Sequence, residues 1–157
     1  MKSVPLLFLA LVANVVATET PLVLHPDELK PIEVTPGVIL RELTGRTAPE
    51  VARTDKCSVA LFHLEPGKAS AWSYNKIGEE SFFILKGHGE VWTGGKAQPV
   101  GPGSYILIPP TVVRSIRAAL NEELEFYAIT APAWSQDDDV LMTTPTAAPT
   151  KTGEKSP

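Results

Sequence analysis

The sequence is short of cross-linking and metal-binding residues. Cys57 is the only cysteine in 157 residues, which excludes an internal disulfide and every CxxC redox or zinc motif. Histidine is nearly as scarce: His25, His63 and His88 leave few imidazoles for a His-rich metal centre. Basic residues are outnumbered, 14 Lys and Arg against 18 Asp and Glu, so no basic stripe is available for a phosphate backbone and nucleic acid is not an expected partner. Long unbroken helical stretches are missing too. Fifteen prolines and 11 glycines punctuate the chain every few residues, which argues against a helical bundle. What remains is ordinary globular composition, 43% hydrophobic and 20% charged, in a chain long enough for one domain.

The first residues carry a separate pattern. Lys2 gives a short positive start, and Leu6 to Val16 is an apolar run broken only by Asn14. Val15 and Ala17 are small residues placed for cleavage before Thr18. This is the layout of a secretory signal peptide over residues 1–17. The run is too short to span a bilayer comfortably, which takes about 20 apolar residues. The expected location is therefore secreted or periplasmic, with no membrane contact after cleavage. None of Asn14, Asn75 and Asn121 is followed by Ser or Thr two positions on, so N-glycosylation is not expected.

Residues 18–57 read as an N-terminal arm and a first strand. Pro21, Pro26, Pro31 and Pro36 keep the arm extended, with one short turn at Asp27 to Lys30. Val38 to Leu43 is the first strand, and 44–56 a polar loop. Cys57 beside Ser58–Leu61 reads as a buried strand residue. From Ser58 onward, short apolar runs alternate with Gly/Pro turns: Ser58–Leu64, Ser70–Tyr74, Glu80–Leu85, Glu90–Thr93, Gln98–Val100, Ser104–Ile108, Val112–Ile116 and Glu123–Thr130. Regular short strands of this kind mean an all-β sandwich or small barrel over residues 58–135. Residues 136–157 read as an acidic segment, Asp137 to Asp139, acting as a solvated cap, and then a disordered tail of Thr, Pro, Ala and Lys.

The stretch from Pro66 to Ile116 resembles the cupin superfamily, double-stranded β-helix barrels of jelly-roll type. The family's first motif runs G, five residues, H-x-H, three or four residues, E, six residues, G. Gly67, Glu80 and Gly87 stand at its glycine and acidic positions. The second motif runs G, five residues, P-x-G, two residues, H, three residues, N, and is matched by Gly103 and Pro109. The surrounding E-E-S-F-F-I-L-K-G-H-G-E-V and P-G-S-Y-I-L-I-P-P fit the same idiom. The resemblance implies a fold of all-β cupin type.

The motif departs from the family where a metal would bind. Its two first histidines fall on Ser73 and Asn75, its third on Arg114, its small turn residue on Thr111 and its Asn on Ala118. Of the implied ligands only Glu80 survives. Two neutral polar groups and a permanent cation without a lone pair do not hold a transition metal. The three histidines lie outside the motif positions. No metal and no cofactor are expected.

If pairing follows the family, Ser73, Asn75, Glu80 and Arg114 point into the barrel mouth, with Glu80 and Arg114 in reach of each other. The pair is either a salt bridge plugging the old metal position or a site in which Arg114 holds an oxyanion and Glu80 moves a proton. Phe82 and Ile84 share Glu80's parity and should line the interior. Ser81, Phe83 and Leu85 should face the other sheet surface or a partner, which fits a homodimer or an arm folded over the barrel. Trp72 and Tyr74 alternate with Ser73 and Asn75 onto the opposite face. Trp134, past the last strand, could close the barrel mouth. The expected ligand-binding set is Ser73, Asn75, Glu80, Arg114, Phe82, Tyr105 and Trp134, with Glu80 and Arg114 as candidate catalytic residues and Tyr74 or Tyr105 as helpers.

Three functional readings follow. The first is a pocket binding a small organic molecule, anionic by the presence of Arg114, without metal. The second is a metal-independent lyase, isomerase, dehydratase or cyclase using Glu80 and Arg114. The third, ranked last, is a metal-dependent oxygenase with an unusual ligand set.

Overall fold

The computed structural model of the chain describes residues 21–143. The expected signal peptide and the tail from 144 lie outside the described residues. Among the described residues, eleven short strands form two antiparallel sheets, with two 3-10 turns, Pro26–Glu28 and Glu50–Ala52. The strands are β1 (Ile32–Thr35), β2 (Val38–Thr44), β3 (Ser58–Leu64), β4 (Trp72–Asn75), β5 (Glu79–Lys86), β6 (Gly89–Thr93), β7 (Lys96–Val100), β8 (Tyr105–Ile108), β9 (Arg114–Ala118), β10 (Leu124–Ala131) and β11 (Asp139–Met142). The larger sheet runs β1-β2-β3-β10-β5-β8 and the smaller β11-β4-β9-β6-β7. Every pairing between these strands is antiparallel. Among the described residues no helix is long and apolar enough to cross a membrane.

The eight strands expected from Ser58 onward are all present, most within two residues of the expected ends. Two elements differ. The end of the arm is not merely extended: Ile32–Thr35 pairs with β2 across the tight turn that Gly37 makes at φ 77°. The acidic run is not a solvated cap. Asp138 turns its carboxylate onto the backbone amides of Ile77 (2.8 Å) and Gly78 (3.0 Å), and Asp139 begins β11, which pairs with β4. Carboxylates beside unpaired amides of a turn make charge-assisted hydrogen bonds, so Asp138 is held by the turn while Asp137 stays exposed. Cys57 lies just ahead of β3 and is half-buried, not a buried strand residue.

The interior is graded along the strands. Strand parity sends alternate residues inward, and the register aligns these in rows across the larger sheet. One end is filled by Val38, Leu64 and Leu124, then by Phe62, Phe126 and Ile84. These large side chains form a packed core at one end of the barrel. The next row reads Ala60, Ala128 and Phe82. Two facing alanines on neighbouring strands cannot fill the space that Phe and Ile fill one row earlier, so the barrel opens there. The last row is polar: Ser58, Thr130 and Glu80. The gradient from large apolar to small to polar makes a pocket with a polar end.

Candidate functional site

The opening is a cavity of about 390 Å³ between the two sheets, within the range of small-molecule sites. Its walls are mostly apolar. Phe62, Phe82 and Phe126 contribute from the larger sheet and Ile116 from the smaller. Phe62 stacks on Phe126 with ring centroids 5.2 Å apart, and Phe82 tilts against the same ring at 4.9 Å. Ile32 and Val34 of β1, Leu141 of β11 and Trp134 complete the lining. The arm and the C-terminal strand are thus walls of the pocket, not accessories.

At the polar end, Ser73 on β4 pairs directly with Arg114 on β9, opposite Glu80 and Thr130 of the larger sheet. The guanidinium is the hub. Its Nε donates to Glu80 Oε2, Nη1 donates to Ser73 Oγ at 2.6 Å and to Asp139 Oδ1 at 3.3 Å, and Nη2 donates to Asn75 Oδ1 at 3.3 Å. Four of the five N–H donors of an arginine are accounted for by these bonds. Glu80 and Arg114 are each only 7% exposed. Burial alone would lower the Arg114 pKa, but the Glu80 and Asp139 carboxylates beside it outweigh that, and its pKa is raised. The cation is therefore permanent at any physiological pH. Glu80, which lines the cavity, has a less committed second oxygen: Oε1 has Thr130 Oγ1 at 3.5 Å, at the outer limit of a hydrogen bond.

The four residues at the family's ligand positions do converge, as the spacing predicts, but they converge on one another. The Arg114 guanidinium bonds to Ser73, Asn75 and Glu80 at once, so it fills the point where a metal ion would have to sit. This donor set does not fit a divalent transition metal.

Phe82 and Trp134 line the cavity, and Trp134 is pinned by its backbone N–H donating to Ser58 Oγ at 2.8 Å. Asn75 supports Arg114 but does not line the cavity. Tyr105 does not belong to the site. It is 61% exposed and pairs with Phe83 across β8 and β5, on the outer face of the sheet. Its parity opposes that of Ile106 and Ile108, which is the signal that places it outside. Tyr74 is likewise no helper: Ser73 and Asn75 take the inward positions of β4, and Trp72 packs edge-on against Trp92. The histidines are elsewhere. His25 precedes the first 3-10 turn, His63 lies near Glu125 (3.3 Å), and His88 near Glu122 (3.0 Å).

Asp139, Glu42, Ser58 and Thr130 also line the cavity, and sequence reasoning missed them. Glu42 was legible in principle. Val38, Leu40 and Glu42 alternate along β2, so a carboxylate follows two inward apolar residues. Thr130 and Ser58 needed the strand register, and Asp139 needed the return of the chain after Trp134.

Comparison with known proteins agrees with this architecture. A cupin domain profile matches residues 60–130, and the two-sheet barrel superposes on solved cupin folds. The barrel is a cupin fold. The chain is 27% identical over 116 residues to an uncharacterised protein of Methanocaldococcus jannaschii, covering 74% of this chain and 90% of that one. A predicted oxalate decarboxylase from Thermotoga maritima is 23% identical, with TM-score 0.63, covering 71% of this chain and 99% of that one. The nucleoside dehydratase Pac13 of Streptomyces is 17% identical, with TM-score 0.63, covering 78% and 92%. At these identities the two structures speak for the fold alone, since one fold hosts many functions.

Proposed function

We propose that this cupin barrel binds a small organic molecule between its sheets without a metal, its polar group meeting Glu80 and its body lying against the aromatic wall. The observation that carries the reading is the row of Ala60 and Ala128, which opens the interior directly above a carboxylate. A core selected for packing alone would fill that row, since a void costs stability. Glu80 is oriented by Arg114, which a group used for recognition requires. The neighbours named as a dehydratase and a predicted decarboxylase are in keeping with a pocket of this kind. We also propose that the protein is exported, on the pattern of residues 1–17, and that it pairs with a second copy of itself.

Arg114 is not a free anion receptor. The expectation of an anionic ligand rested on a guanidinium with one carboxylate neighbour, and Asp139 adds a second.

The test fills the pocket. Ala128→Leu places a larger apolar side chain in the open row, so it should abolish binding of small aromatic compounds, followed by ligand-observed NMR, while the thermal unfolding curve stays cooperative. Binding that survives the filled row would remove the cavity from consideration.

A metal-independent lyase, isomerase, dehydratase or cyclase is the second reading. The observation favouring it is Glu80, a buried cavity-lining carboxylate held through Oε2 by Arg114, whose Oε1 has one weak protein partner. A positioned carboxylate of this kind can accept or return a proton. Glu80→Gln keeps the shape and removes the base. In an enzyme it ends turnover, whereas in a binding protein it changes affinity only.

A further inference from the structure

The charges lining the cavity are Glu42, Glu80, Asp139 and Arg114. Three carboxylates face one guanidinium. Arg114 is committed to Glu80 and Asp139 together, so its charge is spent inside the network and one carboxylate's worth remains over. Glu42 adds another. Thr47 holds Glu42 through Oε2, and the other oxygen lies on the side of Gly45 and Ser58, where any side chain added at Gly45 would collide with it. The β2 strand bulges between Glu42 and Thr44, a device that re-aims a side chain next to a site. Among the described residues no lysine and no second arginine lines the cavity. The remaining lining is aromatic and aliphatic apart from the hydroxyls of Thr35, Thr47, Ser58, Ser70, Ser73 and Thr130, and aromatic faces attract cations.

Resting on the pocket reading above, we propose that the ligand is a small organic cation: a primary or secondary amine, protonated at neutral pH, on a compact aromatic or alicyclic body. The ammonium donates to Glu80 Oε1 and to Glu42, and the body lies against Phe62, Phe82 and Phe126. An ammonium has donors and no acceptor, which matches a polar end made of carboxylate and hydroxyl oxygens. A carboxylate ligand would meet two surplus like charges and one guanidinium with four of its five donors already engaged.

Three probes of nearly one shape separate the possibilities: benzylamine, benzyl alcohol and benzoate, titrated into the mature full chain by calorimetry at neutral pH and low salt. The amine should bind about tenfold tighter than the alcohol, the margin of a charge-assisted over a neutral hydrogen bond, and benzoate weaker than either. Raising the salt should narrow the amine-to-alcohol ratio, and Glu42→Gln should narrow it further. Equal binding of amine and alcohol overturns the cation inference and leaves the pocket reading standing. Tightest binding by benzoate overturns the cation inference and restores Arg114 as the receptor. Failure of all three probes overturns the cation inference and counts against the pocket as well.

Discussion

Replacing Arg114 with Met tests whether the guanidinium holds the polar end of the barrel together. The side chain is nearly isosteric along its stem but loses the charge and every donor. Glu80 is left 7% exposed without its cation, and Asp139, 18% exposed at its side chain, loses the same partner. Ser73 Oγ and Asn75 Oδ1 lose a donor each. Removing one member of a buried ion pair costs about 3–5 kcal/mol, because the other charge stays desolvated. The expected loss for Arg114→Met is in that range, read as a lower urea midpoint at unchanged slope. Glu80→Gln should cost less, about 1–3 kcal/mol, since Arg114 keeps Asp139 and the amide oxygen still accepts. The double variant should be less destabilised than the two single losses together by about 1–3 kcal/mol, the mark of a coupled pair. Arg114 has its pKa raised in the folded protein, so its contribution is fully present below the ordinary arginine pKa and fades only as pH rises through the folded value. The Arg114→Met loss should therefore not diminish through deprotonation of this arginine between about pH 5 and 9. A single variant within about 0.5 kcal/mol of the parent, the usual scatter of surface changes, would refute the reasoning.

Other consequences are simpler to check. Thr111 holds φ 69°, where a β-branched residue is strained, while its N–H donates to Asn75 O at 2.7 Å and so fixes the turn beside the site. Thr111→Gly should stabilise by about 1 kcal/mol in thermal unfolding, and a loss of stability would show that no strain resides there. Phe83, Leu85, Tyr105 and Leu107 lie exposed on the outer face of β5 and β8, a patch of the kind that marks an interaction surface. Light scattering should find a dimer that Phe83→Lys with Tyr105→Lys converts to monomer, and a monomeric parent sinks the idea. Export predicts that the chain recovered outside the cytoplasm starts at Thr18 by intact-mass measurement, and a retained Lys2 argues against it.

Much of this protein was written locally. Alternation and Gly/Pro punctuation from Ser58 to Thr130 suffice to define the strands, because the side-chain period is two and turns need special backbone. The spacing of Gly67, Glu80, Gly87, Gly103 and Pro109 was enough to bring Ser73, Asn75, Glu80 and Arg114 to one end of the barrel. Tyr105 lies on the outer face, and its parity, opposite to that of Ile106 and Ile108, is readable in the sequence. Other features had no local signature. Whether Ala60 and Ala128 leave a hole depends on their facing each other across β3 and β10, and register is a long-range property. Asp137 to Asp139 look like any solvated acidic run until the chain returns past Trp134 and lays Asp139 beside Arg114. The sequence thus determined which residues face inward, through a period set by covalent geometry. Only the tertiary structure decided which of them meet, and so the sign of the charge left over in the pocket, because charges sum in space and not along the chain.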